Sequence, residues 1–182
     1  MVRLLLERDD IDMNSKDNDG RSPLSHAAEF DHEAVIRLLL KRPEVEVNTK
    51  GRNGSTPLLY AAQNGNKTVV RLLLKRDDVE INSNDNDGRS PLSHAAEFDH
   101  KAVIRLLLKR PEVEVNTKGR NGSTPLSYAA RYGKQTVVRL LLERDDIDMN
   151  LQDNDGRTPL SWAVESGYEA VAKLLQSRMN AP

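Results

Sequence analysis

Three loops in this sequence carry residue types that can hold a cation. Asp17, Asn18, Asp19 and Gly20 form the first, and "DNDG" returns at 85–88 and 153–156. A helix–loop–helix calcium site takes oxygen ligands from loop positions 1, 3 and 5, needs Gly at 6 and closes with a bidentate Glu at 12. Aligned on Gly20, position 1 is Ser15 and position 12 is His26. Aligned on Gly88 they are Ser83 and His94, and on Gly156 they are Leu151 and Trp162, so every copy lacks the closing carboxylate. The alternative chemistry is conformational. Asn-Asp-Gly supplies the positive φ of a tight hairpin tip, and the Pro that follows suits the first turn of a helix. The loops are therefore expected to be turns that bind no metal.

Catalysis has as little support. Ser25 and His26 are neighbours on a helix and point apart, and the Asp-His pairs at 31–32 and 99–100 lack a nucleophile within reach. "KGRNGST", at 50–56 and 118–124, places glycines before a helix without the Gly-x-x-x-x-Gly-Lys-Ser/Thr spacing that cradles phosphate. No enzyme activity and no cofactor is expected.

The elements that position these loops emerge from the period. Asn14, Asn48, Asn82, Asn116 and Asn150 are 34 residues apart, as are Pro23, Pro57, Pro91, Pro125 and Pro159. The chain divides into a half unit, 1–14, and units 15–48, 49–82, 83–116, 117–150 and 151–182, in one domain spanning 1–182. A second period of 68 lies over the first, because 15–82 and 83–150 differ at eleven positions. Such similarity fits recent duplication or an engineered consensus.

Each unit predicts two helices. In "SPLSHAAEFD" a Ser or Thr precedes Pro, an N-cap followed by a first turn, and Leu24, Ala27 and Ala28 share one face. After the break at Asp31-His32, "EAVIRLLLKR" sets Val35, Leu38 and Leu39 in a stripe and ends in basic residues that suit a helix C-terminus.

These residues resemble the ankyrin repeat, whose Thr-Pro-Leu-His-x-Ala hallmark is matched by Thr56-Pro-Leu, Thr124-Pro-Leu and Thr158-Pro-Leu, with Ser22 and Ser90 as variants. The resemblance covers the whole chain. The 34-residue unit, with "RPEVEVN" or "RDDIDMN" after the second helix, is similar to the kind abundant in fungal ankyrin proteins. Ser25, Leu59, Ser93, Ser127 and Ser161 stand where the family usually has His, and Asp31 and Asp99 stand at its usual Gly. Asp tolerates a left-handed conformation, so the fold is unaffected. The resemblance implies an all-α solenoid of stacked helical hairpins with projecting β-hairpin loops and first helices on the concave side.

It also implies a protein-binding module that grips a protein partner with hairpin tips and the exposed ends of the first helices. The residues so assigned are Asn18, Asp19, Arg21, Glu29 and Phe30 and their counterparts Arg52, Asn53, Gln63, Asn64, Asn86, Asp87, Arg89, Glu97, Phe98, Arg120, Asn121, Arg131 and Tyr132. The repeats support this independently: the two residues after Ala-Ala vary from Glu-Phe to Gln-Asn to Arg-Tyr where the frame does not. Phe30 and Phe98 are the chain's two phenylalanines, and exposed aromatics are enriched at interface hot spots. The competing expectation is that they pack between units. His26, Tyr60, His94, Tyr128 and Trp162, one turn earlier, are expected to form an aromatic ladder at the base of the groove. The alternative to a binding module is a structural spacer without a groove partner.

Composition narrows the setting. With 37% apolar and 30% charged residues and a net charge of −1, the chain reads as soluble. "MVRLLLERDD" is too short and too acidic for a secretory signal, and no run approaches the roughly 20 apolar residues of a membrane helix. No cysteine is present, which fits cytoplasm or nucleus. Asn53-Gly-Ser, Asn66-Lys-Thr and Asn121-Gly-Ser match the glycosylation pattern but read as turns. No long basic run or stacking platform points to nucleic acid. At the ends, Gln176 and Ser177 polarise the last second helix, whereas Leu4, Leu5 and Leu6 lack a partner helix. The expectation is fraying of residues 2–8, or end-to-end self-association through the half unit.

Overall fold

The computed structural model describes residues 11–180. Among them ten α-helices form five antiparallel pairs: α1 (Pro23–Glu29) with α2 (Glu33–Leu39), α3 (Pro57–Gln63) with α4 (Lys67–Leu73), α5 (Pro91–Glu97) with α6 (Lys101–Leu108), α7 (Pro125–Arg131) with α8 (Gln135–Leu141), and α9 (Pro159–Glu165) with α10 (Glu169–Met179). Helices of about two turns do not persist alone in water, so stacking must hold them.

Each first helix starts where the sequence places it. The hydroxyls of Ser22, Thr56, Ser90, Thr124 and Thr158 accept the backbone N–H three residues on at 3.2–3.3 Å, and Pro fills the next position. A cap of this kind contributes about 1 kcal/mol. The serines that replace the family's usual His have a local role: the Ser25, Ser93, Ser127 and Ser161 hydroxyls pair with the cap hydroxyl at 2.9–3.2 Å. Leu59, the fifth of the set, has no hydroxyl and is as buried as Ser25, Ser93 and Ser127.

Leu24, Ala27 and Ala28 are buried as expected, and so are Leu58, Leu92 and Leu126. The second-helix stripe keeps Leu39 and adds Ile36. The pair buried in every repeat is Ile36/Leu39, with Val70/Leu73, Ile104/Leu107, Val138/Leu141 and Ala172/Leu175; Val35 and Leu38 are half-buried, but Val69, Val103, Val137 and Val171, at the position of Val35, are buried. The run Val35 to Leu40 is apolar at five of six positions, so it offers overlapping stripes, and only packing selects between them. Each Leu withdrawn fully from water contributes roughly 1.5–3 kcal/mol.

The 34-residue asparagines join the repeats. The side-chain amides of Asn14, Asn48, Asn82 and Asn116 donate to a carbonyl 30 residues on, at 2.7–2.8 Å. Their Oδ1 atoms accept the N–H 32 residues on, at 2.9–3.0 Å. One side chain thus satisfies two backbone groups of the following loop. The projecting hairpins are of minimal length: Gly20 N–H closes the tip on Asp17 O at 2.9 Å, and Asp17 N–H donates to Arg21 O at 3.0 Å. Among the described residues no tip extends into a strand.

First helices pack more extensively on their neighbours along the array than second helices do. Gln176 and Ser177 are exposed on α10, with the Ser177 hydroxyl donating to Leu174 O at 2.8 Å. The expectations for residues 2–8, and for the half unit up to residue 10, fall outside the described residues.

Candidate functional site

The tips and the C-terminal ends of the first helices form one edge. We call the repeats containing α1 and α5 odd and those containing α3 and α7 even. In the odd repeats a ring nitrogen meets a carboxylate: His26 Nε2 lies 2.7 Å from Asp17 Oδ2, and His94 Nε2 lies 2.8 Å from Asp85 Oδ2. In the even repeats a phenol donates to an amide oxygen, Tyr60 to Asn53 at 3.0 Å and Tyr128 to Asn121 at 3.2 Å. The last repeat uses an indole, with Trp162 Nε1 donating to Asp153 Oδ2 at 3.0 Å. These five side chains recur at one register, and Tyr60, His94, Tyr128 and Trp162 are buried with their polar atoms holding the tips. Only His26 is half-exposed.

The same contacts define the chemistry of the Asp-Asn-Asp-Gly loops. Asp17 Oδ1 accepts the Asp19 and Arg21 N–H groups at 2.8 Å each, and Oδ2 takes His26 and Arg21 Nε. Both oxygens are engaged by protein donors. Chiefly the Arg21 N–H, with His26 and the Asp19 N–H adding to it, holds the Asp17 carboxyl well below the usual carboxylate range. For Asp85, burial pushes the pKa up, but the His94 hydrogen bond and the Arg89 N–H and guanidinium outweigh it and the net shift is downward. Asp153 follows the same pattern, with burial outweighed mainly by the Arg157 and Asp155 N–H groups.

Two clefts open between odd and even tips. The first, of ≈ 280 Å³, is lined by Asp19, Arg21, Glu29, Arg52, Asn53 and Tyr60. The second, of ≈ 300 Å³, is lined by Asp87, Arg89, Glu97, Arg120, Asn121 and Tyr128, with Arg131 and Tyr132 at its far side. Arg21 pairs with Asp17 and Asp19 at 3.2 Å and with Glu29 at 3.0 Å. Arg89 pairs with Asp87 and Glu97 at 3.2 Å, while its Nε lies 3.4 Å from Asp85 Oδ2 without hydrogen-bond geometry. Arg52 and Arg120 are exposed and make no ion pair among the described residues.

Phe30, Phe98 and Tyr132 sit at the C-caps of α1, α5 and α7 and are 59%, 48% and 38% exposed. The Phe30 and Phe98 rings lie 6.2 Å from those of His32 and His100. The polar residues expected beside them divide by partner. Asn18 is exposed, whereas the Asn86 amide donates to Arg52 O at 2.7 Å and ties adjacent tips. Asn53 and Asn121 hold their own tips. The Asn64 amide returns to Tyr60 O at 2.9 Å, and Gln63 O accepts from His100 Nε2 at 2.8 Å. Arg131 stacks 4.3 Å from the Trp162 ring and 5.5 Å from Tyr132. Arg157 covers the other approach to Trp162 at 3.8 Å, a pairing the sequence reading missed although Arg157 repeats the register of Arg21. Among the described residues no cluster of three or more His, Cys, Asp or Glu could hold a metal.

Helix pairs stacked by side-chain staples, with tips along one edge, define a helical solenoid of tandem repeats. A family model described as "Ankyrin repeats (3 copies)" matches residues 1–51, 43–119 and 110–181, and the chain belongs to the ankyrin repeat family. No curated protein matches it. Members of the family are generally protein-interaction modules and are typically non-catalytic. No helix among the described residues is long and apolar enough to cross a membrane.

Proposed function

We propose that this chain works as one ankyrin-repeat domain, in the units 15–48, 49–82, 83–116, 117–150 and 151–182 after the half unit, and that it binds a protein partner through its tips and first-helix ends. The observation that carries this reading is the outward placement of Phe30, Phe98 and Tyr132 at equivalent helix ends. A large apolar ring left in water at one register of the array supplies what interface hot spots are built from. Beside the rings, the residue after Ala-Ala is Glu29, Gln63, Glu97 and Arg131 in successive repeats, so its charge varies along the edge where the frame does not.

A photoreactive phenylalanine analogue at position 98 tests this, with the same group at exposed Arg105 on the second-helix side as control. In an extract of the native cells, a discrete protein adduct is expected from position 98 and not from 105. Adducts that are the same at both positions, or absent at 98, would favour a spacer without a groove partner.

A further inference from the structure

The two clefts share a set of six residues, and the second adds Arg131 and Tyr132 where the sequence has Gln63 and Asn64, 68 residues earlier. Asp19, Arg21, Glu29, Arg52, Asn53 and Tyr60 line the first, and the residue 68 further on is identical at all six positions of the second. The junction between them does not reproduce the set. There the positions matching Arg21 and Arg52 are Ser55 and Asn86, so neither guanidinium is present. The site therefore recurs every second repeat.

Within each cleft the two carboxylates converge on one guanidinium. Asp19 and Glu29 both pair with Arg21, and Asp87 and Glu97 both pair with Arg89. The guanidiniums of Arg52 and Arg120 have no carboxylate partner among the described residues, and in the second cleft Arg131 is engaged by the Trp162 and Tyr132 rings. The backbone of Arg52 is fixed even though its side chain is free: the Arg52 N–H donates to Asp19 O at 2.7 Å and its carbonyl accepts the Asn86 amide at 2.7 Å. Arg120 is held in the same way by Asp87 O at 2.7 Å and the Asn154 amide at 2.8 Å. An arginine fork on a fixed backbone matches the two oxygens of a carboxylate.

We propose that Arg52 and Arg120 form a paired reader of acidic side chains, taking two Asp or Glu residues from one extended segment of a partner protein. This rests on the protein-binding reading above and names its ligand. The spacing follows from geometry. Packed helices lie about 8–10 Å apart, so clefts two repeats apart are separated by roughly 16–20 Å. Extended chain covers about 3.3–3.6 Å per residue, which puts the two acidic residues about five or six positions apart. Once one carboxylate is seated the second contact is intramolecular, so correct spacing multiplies the affinity.

The test is to select phage-displayed random peptides, roughly sixteen residues long, on the whole chain and to measure the enriched peptides against Arg52→Ala, Arg120→Ala, the double variant and the Phe30→Ala/Phe98→Ala/Tyr132→Ala variant. Melting curves establish that each variant is folded. We expect enriched sequences to share two acidic residues about five or six apart. Each single Arg variant should weaken them about tenfold, and moving one acidic residue by two positions should have a similar effect. Enriched peptides that need the aromatic rings but show no paired acidic spacing, or that ignore the double Arg variant, overturn this inference and leave the protein-binding reading standing. No enrichment, or peptides that ignore both the rings and the arginines, overturns both.

Discussion

Odd and even repeats fold the same backbone with different chemistry. In the odd repeats a carboxylate at the tip is clasped by a histidine and the turn between helices is made by Asp31 or Asp99. In the even repeats an asparagine at the tip is clasped by a tyrosine and the turn is made by Gly65 or Gly133. The neighbour explains the second difference. A Cβ on Gly65 would come 2.5 Å from His100 Nδ1, and one on Gly133 would come 2.4 Å from the Tyr168 ring. The residues at the matching register after Asp31 and Asp99 are Asn66 and Lys134, which carry no ring. All four turns need positive φ, between 56° and 72°, but only the even ones also need an empty Cβ position. Asp in place of Gly is thus a response to the next repeat rather than a defect in its own.

The largest effect expected from this comparison comes from exchanging the turn residues. Gly65→Asp forces a side chain into the His100 ring at a left-handed position and should cost about 2–4 kcal/mol. The reverse change, Asp99→Gly, removes a mild strain and should stay within about 1 kcal/mol of neutral. Chemical denaturation of the two variants measures both, and equal costs would break the explanation.

A smaller effect separates the clasps by pH. The Asp17 and Asp85 carboxyls have lowered pKa values in the folded chain, so their contribution is present above the ordinary carboxylate pKa of about 3.9 and is lost as pH falls through and below it. The Tyr–Asn clasps have no carboxylate to protonate. Amide exchange between pH 6 and 3 should therefore show protection at 17–21 and 85–89 falling before that at 51–55 and 119–123. Replacing Asp17 and Asp85 by Asn should flatten the difference. Simultaneous loss at all four tips would contradict it.

Much of this was legible because it is local or periodic. Ser or Thr before Pro located every first helix, and the 34-residue period set the number of repeats. The Asn period was visible, but not its cause, because each staple reaches 30 and 32 residues ahead and only stacking brings those groups together. Val35 and Leu38 show a related limit: they are half-buried while Val69, Val137, Leu72 and Leu140 at the same positions are buried, so the depth of burial belongs to the neighbours. At the tips, residue type showed which groups are polar but not which are already partnered. Asn86 and Arg52 look equally available in the sequence, yet one amide is bound to a carbonyl and the other side chain is free.

The account rests on Phe30, Phe98 and Tyr132 being binding anchors rather than packing residues, and one triple variant tests it. With all three replaced by Ala, the denaturant midpoint should scarcely move, since exposed substitutions usually fall within about 0.5 kcal/mol each. Affinity for the protein captured at position 98 should drop by about 2 kcal/mol or more. A stability loss approaching the roughly 3–5 kcal/mol of a buried Phe, or capture that survives unchanged, would contradict the central claim.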